Sequence, residues 1–408
     1  MNAYTPIPIE QPVAAAQALL PLLAEHADEA EQSGQLSAAA FDAISAAGLF
    51  QFMFPRRAGG CGHPLITHTE TVAEIAKADP GSAWAFGLLS SITASVASMP
   101  PVIRDKVFVR GDELLCSVAA PTGTARQVEG GYVVNGRWSY ASGCMHADYA
   151  LNGVRVQDAA GNTVDQCFAV IPLKDNMATS IEMTWLMAGV CASGSNTVVA
   201  QELFVPAEFI VNPAAMKKAA AALGAADVAA MQANMEPRDR WPKEPLFPLV
   251  VLSPMLGAAQ SLLEKVTADM HGRPVIGWNF ASKADSAVFV QQLGQSAMEI
   301  DSAWMHVRRA ISDIDVTAQQ QELSGFDKAR IQADCGHAMG LLRSATSRLM
   351  DIAGPGAFAS ANSLQRLWRD LNVGSRHTYL SCPLSEELYG RALTGLESTM
   401  ANLADVRH

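Results

Sequence analysis

Val134-Asn-Gly-Arg-Trp138-Ser-Tyr-Ala-Ser142-Gly-Cys-Met-His146-Ala-Asp-Tyr149 is the stretch whose texture decides the fold. It mixes β-branched and aromatic residues with Asn-Gly and Ser-Gly pairs, the chemistry of short strands joined by turns. Around it, Leu114–Ala120, Gln127–Val134, Tyr149–Val156, Gln166–Pro172 and Thr197–Val205 read as further short strands. Glu129-Gly130-Gly131, Asn135-Gly136 and Ala160-Gly161-Asn162 supply the turns between them. The pattern predicts a β domain over residues 113–213.

On either side the period changes from two to 3.6. Ala14–Glu31 and Ser37–Leu49 are Ala/Leu-rich, with Ser37 as an N-cap, and Thr67–Lys77 and Gly81–Met99 continue the pattern. Pro55–Pro64 breaks the run and Pro100-Pro101 ends it. These features predict a helical domain over 1–112. Residues 214–245, Ala/Met-rich and ending in Glu236-Pro-Arg-Asp-Arg-Trp-Pro242, read as a loop or lid. Beyond it, over 246–408, Leu293, Ala297, Ile300, Trp304, Val307 and Ile311 share one helix face, as do Ala338, Leu342, Ala345, Leu349 and Ile352. Long amphipathic helices with short breaks predict a bundle. The class is α+β, ordered α, β, α.

The bulk properties narrow the function. The chain has 408 residues, 49% of them apolar and 17% charged, enough for a sizeable core in more than one domain. A net charge of −11 without a basic cluster speaks against nucleic acid or an anionic membrane as partner. The seven cysteines (61, 116, 144, 167, 191, 335, 382) are scattered and form no C-x-x-C, as expected of reduced thiols. No charged leader opens the chain. The long uncharged stretches Gly81–Ile103 and Leu246–Leu263 carry serines or internal prolines and read as buried helices rather than spans. The expectation is a cytoplasmic protein that does not enter the membrane.

P-loop, H-E-x-x-H and G-x-S-x-G motifs are all missing, and Gly354-Pro-Gly356 lacks both the third glycine and the preceding strand of a dinucleotide fingerprint. The nine histidines show no metal-ligand spacing, so no metal is expected.

Four stretches remain, in a fixed order. They are Ser117-Val-Ala-Ala-Pro-Thr-Gly-Thr-Ala125 with Val134–Tyr149, then Trp185-Leu-Met-Ala-Gly-Val-Cys-Ala-Ser193-Gly-Ser-Asn-Thr197 with Val205-Pro-Ala207, then Gly354-Pro-Gly-Ala-Phe358, and last Leu367-Trp-Arg-Asp370 with Ser375-Arg-His377. On an α–β–α chain this series resembles the acyl-CoA dehydrogenase fold over essentially the whole length. Within that fold it is similar to the group D flavin-dependent monooxygenases, the oxygenase components of two-component systems. Acyl-CoA dehydrogenases often carry a catalytic Glu shortly after the Arg-Asp pair. Here Arg369-Asp370 is followed by Leu-Asn-Val-Gly-Ser-Arg-His377-Thr-Tyr, with His377 near the place of that base and no carboxylate there.

The resemblance implies a reduced flavin (FADH2 or FMNH2) supplied by a separate NAD(P)H-flavin reductase. It also implies O2 as co-substrate, a flavin C4a-hydroperoxide, an aromatic or heteroaromatic substrate of phenol or indole type, and a homotetramer. It places Ser142 near flavin N5 and His377 where it can donate to the oxygen being transferred. Trp138, Ser193, Ser195 and Asn196 join Ser142 as cofactor-binding candidates. Ser117, opening a loop against the flavin, and Trp84 and Ser91 of the Trp84–Ile92 segment are substrate-binding candidates. Phenol-hydroxylating relatives tend to carry a histidine in that helix where this chain has serines, which turns attention to indole-like rings. His146 reads as structural, and Met187, Met231, Met235 and Trp241 as possible pocket lining. The alternatives are a divergent acyl-CoA dehydrogenase and a catalytically silent scaffold.

Overall fold

His26 divides the first predicted helix in two. Its backbone (φ −95°, ψ 6°) leaves the helical region between α1 (Pro12–Glu25) and α2 (Ala27–Ser33). The computed structural model describes residues 9–158, 160–222, 224–272, 274–403 and 405–406. His408, one of the histidines counted above, lies outside the described residues. α3 (Ala38–Ala46) starts at Ser37, whose hydroxyl oxygen accepts the Ala40 N–H at 3.2 Å. α4 (Leu65–Ala76), α5 (Pro80–Ala97) and α6 (Pro101–Val107) follow. Asp79 caps α5 by accepting from the Gly81 and Ser82 N–H groups. Most of α5 is buried, as its uncharged sequence requires.

The strands are β1 (Leu115–Val128), β2 (Gly131–Ala141), β3 (Tyr149–Gln157), β4 (Thr163–Pro172), β5 (Thr179–Glu182), β6 (Asn196–Pro206) and β7 (Ile210–Val211). They form one sheet in the order β5-β6-β2-β1-β3-β4-β7, antiparallel except where β1 runs parallel to β3. Two expectations need correction. The segment after Ser117 is the body of the long strand β1, with a register shift between Val118 and Gly123, and not a loop. Asn135-Gly136 is not a turn but a bulge inside β2. The bulge has a steric cause: a Cβ at Gly136 would lie 2.4 Å from the Trp138 ring, and one at Gly123 2.2 Å from it. Both glycines leave room for the indole, a use of glycine in strands that a turn reading overlooks.

The expected lid is partly helical. α7 (Pro213–Ala221) and α8 (Ala225–Ala233) precede a short turn at Pro237–Arg240. That turn is strapped to the N-terminal region. Glu236 accepts the Arg56 and Arg57 N–H groups at 2.7 and 2.9 Å, and the Arg57 guanidinium forks onto Asp239 at 2.6 Å to each oxygen.

The C-terminal bundle comprises α9 (Leu246–Ala268), α10 (Ala287–Ser312), α11 (Ala318–Gln320), α12 (Gly325–Ala353), α13 (Ser363–Gly374) and α14 (Cys382–Leu393). α9 is long and apolar enough to cross a membrane, yet 78% of its most apolar window is buried within the protein. It lies against α4 so closely that a Cβ at Gly257 would meet the Ala73 carbonyl oxygen at 1.9 Å. Gly354 caps α12, and Pro355–Phe358 form a single 3-10 turn after it. One apolar core runs through all three regions, taking in Trp84 and Leu89 of α5, Trp138 of β2, Leu252 and Met255 of α9, and Leu367 and Leu371 of α13. The turn after β2 meets α5 through Trp84, and α5 in turn packs on α9 and α13.

Candidate active site

Ser142 is the first residue after β2. Tyr140, just before it, takes a left-handed backbone (φ 66°), and the Ser142 N–H returns to the Tyr140 carbonyl. A non-glycine residue there is strained, and such strain collects at functional sites. The next residue ties this turn to another: the Gly143 N–H donates to the Ser193 carbonyl at 2.8 Å.

The two turns face each other through hydroxyls. Trp84 of α5 donates its indole N–H to Ser142 Oγ at 3.2 Å. Ser142 Oγ lies 2.7 Å from Ser195 Oγ, which lies 2.7 Å from Ser193 Oγ. All three serines are buried. Trp84 is a donor alone, so it fills an acceptor site on Ser142 and leaves that hydroxyl's proton to Ser195 or to a ligand. Asn196 completes the turn: its Oδ1 accepts the Thr184 and Trp185 N–H groups, both at 3.0 Å, while its buried Nδ2 has no partner.

His377 lies three residues past α13. Its ring centroid is 6.0 Å from Trp84, 5.4 Å from Phe247 and 5.9 Å from Tyr379. Nδ1 accepts the Tyr379 N–H at 3.4 Å, which leaves the proton of the neutral ring on Nε2. Burial among these rings holds the imidazole pKa below its ordinary value. No carboxylate among the described residues is bonded to it. Trp84 thus touches His377 with its ring and Ser142 with its N–H, joining the two expected catalytic residues.

The remaining candidates divide. Trp138 is fully buried with its N–H on the Gly153 carbonyl at 2.8 Å, and has no bond to the serine cluster. The Ser117 hydroxyl is engaged by the Leu151 carbonyl at 2.5 Å and has no bond to the serine cluster. Ser91 lies two turns after Trp84 on α5, half-buried and outside the hydroxyl chain. His146 stacks on Phe41 with centroids 4.6 Å apart, and burial pushes its pKa down to about 4. Met187 and Met231 are exposed on separate segments, Met235 is half-buried, and Trp241 is buried beneath the Arg238 guanidinium.

In the sequence Asp370 stands out only as half of the Arg369-Asp370 pair; the fold gives it a structural role. Its Oδ1 accepts the Val190 N–H at 2.6 Å, fastening α13 to the loop that leads into Ser193–Asn196. A Cβ on Gly189 would sit 2.7 Å from the Arg369 carbonyl oxygen, so glycine is needed for this approach. Burial, with the nearby Asp79 carboxyl, pushes Asp370 up to about 8. Asp79 is also raised by burial. One acidic pair therefore anchors both the start of α5 and the loop.

A flat, polar-edged ring system fits this arrangement. The serine hydroxyls and the unpartnered Asn196 Nδ2 supply hydrogen-bonding groups. Beside them Tyr140, 71% exposed, meets Trp185 edge to face at 5.8 Å and supplies apolar surface.

Residues 15–99 match the acyl-CoA dehydrogenase N-terminal domain and residues 249–382 the acyl-CoA dehydrogenase C-terminal domain. The chain belongs to the acyl-CoA dehydrogenase family. Among its relatives is the oxygenase subunit HsaA of a flavin-dependent monooxygenase from Rhodococcus jostii, 27% identical over 94% of this chain and 98% of that one. Another is the oxygenase component of p-hydroxyphenylacetate 3-hydroxylase from Acinetobacter baumannii, 26% identical over 93% and 88%. The structure of XiaF from Streptomyces in complex with FADH2 and glycerol superposes with a TM-score of 0.87 at 29% identity, covering 95% of this chain and 96% of that one.

Proposed function

We propose that the protein is the oxygenase component of a two-component monooxygenase, using reduced flavin and O2 to hydroxylate or epoxidise an aromatic or heteroaromatic small molecule. The observation that carries this reading is the line from His377 through Trp84 to the Ser142–Ser195–Ser193 hydroxyls. It sets a proton-bearing imidazole and a buried hydroxyl chain on either side of one indole, and among the described residues no carboxylate is hydrogen-bonded to either, as the base of an acyl-CoA dehydrogenase would need to be placed.

Reduced flavin, when bound, supplies the electrons that activate O2. Ser142, Ser193, Ser195 and Asn196 would hold its polar edge, and Tyr140 and Trp185 would cover apolar surface. Ser142, with one acceptor site filled by Trp84, directs its proton toward the neighbouring hydroxyl or the bound ring. His377, kept neutral by burial, offers Nε2–H as a donor without adding a charge to an apolar pocket. Phe247 and Trp84 border the ring with apolar surface, a setting that would favour oxygen transfer over loss of oxygen to water once a substrate covers the remaining face.

The aromatic setting of His377 supports a planar substrate. The Trp84–Ile92 segment, in which phenol-hydroxylating relatives tend to carry a histidine and this chain has serines, supports an electron-rich ring such as an indole alongside phenols. A separate flavin reductase supplies the reduced cofactor, and the assembly is a homotetramer. The test is turnover with reduced flavin, a reductase and a panel of indoles and phenols under 18O2. One labelled oxygen in the product is expected; consumption of O2 to hydrogen peroxide with every ring unchanged would refute the reading.

A further inference from the structure

Away from the flavin-type site, α12 and α14 meet along a seam built on small residues. A Cβ at Gly336 would lie 2.5 Å from the Ser385 side chain, and one at Gly340 would lie 3.2 Å from Cys382 Sγ. Gln332 closes the same seam, donating to the Tyr379 carbonyl at 2.7 Å and to Ser385 Oγ at 2.9 Å. These contacts set His337 of α12 against Cys382 and Glu386, which stand one turn apart on α14. Cys382 Sγ is 3.2 Å from Glu386 Oε1, Glu386 Oε1 is 3.5 Å from His337 Nδ1, and the three donor atoms lie within 4.8 Å of one another.

A tetrahedral zinc ion, with Zn–S of about 2.3 Å and Zn–N or Zn–O of about 2.0–2.1 Å, separates its ligand atoms by about 3.3–3.6 Å. The Cys382–Glu386 and Glu386–His337 separations are already close to those edges. We propose that His337, Cys382 and Glu386 form a zinc(II) site that clamps α14 to α12, with water as the fourth ligand. The thiol and imidazole favour a borderline-soft ion over magnesium or calcium, which need more oxygen ligands. On binding, the Cys382 S–H bond is replaced by a sulfur–metal bond and the proton passes to solvent. Two ligands lie on one helix and the third on a facing helix 45 residues earlier, so sequence spacing gives no metal motif. The site's role is structural, because it fixes the segment that follows His377 without touching the hydroxyl chain.

The test is cobalt(II) titration of the untagged full-length protein, followed by near-ultraviolet absorption, together with thermal melting with and without zinc(II). The wild type is expected to show a thiolate-to-cobalt charge-transfer band and a melting temperature raised by zinc, and Cys382→Ser to lose both. His337→Ala and Glu386→Gln should each weaken binding by about tenfold or more. Circular dichroism of the metal-free variants checks that they remain folded. No charge-transfer band in the wild type, or an equal band in Cys382→Ser, would overturn the proposal.

Discussion

Trp84 and Ser142 are 58 residues apart in sequence and joined by a hydrogen bond of 3.2 Å from indole N–H to hydroxyl oxygen. One end of that bond belongs to the N-terminal helices and the other to the sheet, so the position of the serine depends on how the two layers pack. The same indole ring borders His377 from the C-terminal bundle. All three regions of the chain therefore converge on one tryptophan.

Ser142→Ala should strand the buried Trp84 N–H and cost about 1–3 kcal/mol of stability. Product formed per flavin oxidised should fall by about tenfold, with hydrogen peroxide rising to match. Parallel assays of product and peroxide check this.

His377→Ala should slow hydroxylation by about 10²-fold or more while leaving affinity for flavin near that of the wild type. Wild-type activity should hold from neutral pH upward, where the ring is neutral. It should fall as the pH drops below 6.5 and through the depressed value of the buried ring. A pH–rate profile compared with direct flavin binding separates the two effects.

Asp370 should make the protein less stable as the pH rises. Its folded-state value of about 8 lies above the ordinary 3.8, so the native state holds a proton that the unfolded chain has released between those values. Stability linked to this group is complete below about 3.8 and is lost as the pH climbs toward 8. Above 6.5 an exposed histidine of the unfolded chain is mostly neutral and adds little slope. Asp370→Asn keeps an acceptor for the Val190 N–H and should flatten the decline between about pH 7 and 8.5, as read by urea denaturation at each pH.

Trp138→Ala should destabilise the protein by about 3–5 kcal/mol, the range for a large buried aromatic. The milder Trp138→Phe should lower the urea midpoint while leaving flavin affinity within about twofold, because the indole is fully buried in the core. A large, specific loss of flavin affinity in a folded Trp138→Phe variant would restore its direct role.

How much of this could be read in advance depended on the range of each interaction. The order of helices and strands follows from local periodicity, and Ser37 and the Pro100-Pro101 stop act within a single turn. Ser142 and His377 stand out because their segments match a family pattern. Trp84–Ser142, Asp370–Val190 and the His337–Cys382–Glu386 group depend on tertiary packing, which spacing along the chain does not encode. Asn135-Gly136 departs from its turn reading for a related reason: a dipeptide that suits a turn here clears space for a ring two residues on. The Arg56–Arg57 strap to Glu236 and Asp239 was hidden in the same way, with about 180 residues between its partners.

The most direct test of the central claim is anaerobic mixing of the purified protein with reduced flavin, followed by oxygen, while the flavin spectrum is recorded. The protein should be nearly colourless as isolated, and should give a transient spectrum, unlike either reduced or oxidised flavin, that outlasts the reoxidation of free reduced flavin. A protein that arrives yellow, shows no such transient and is bleached by an acyl-CoA would contradict the account.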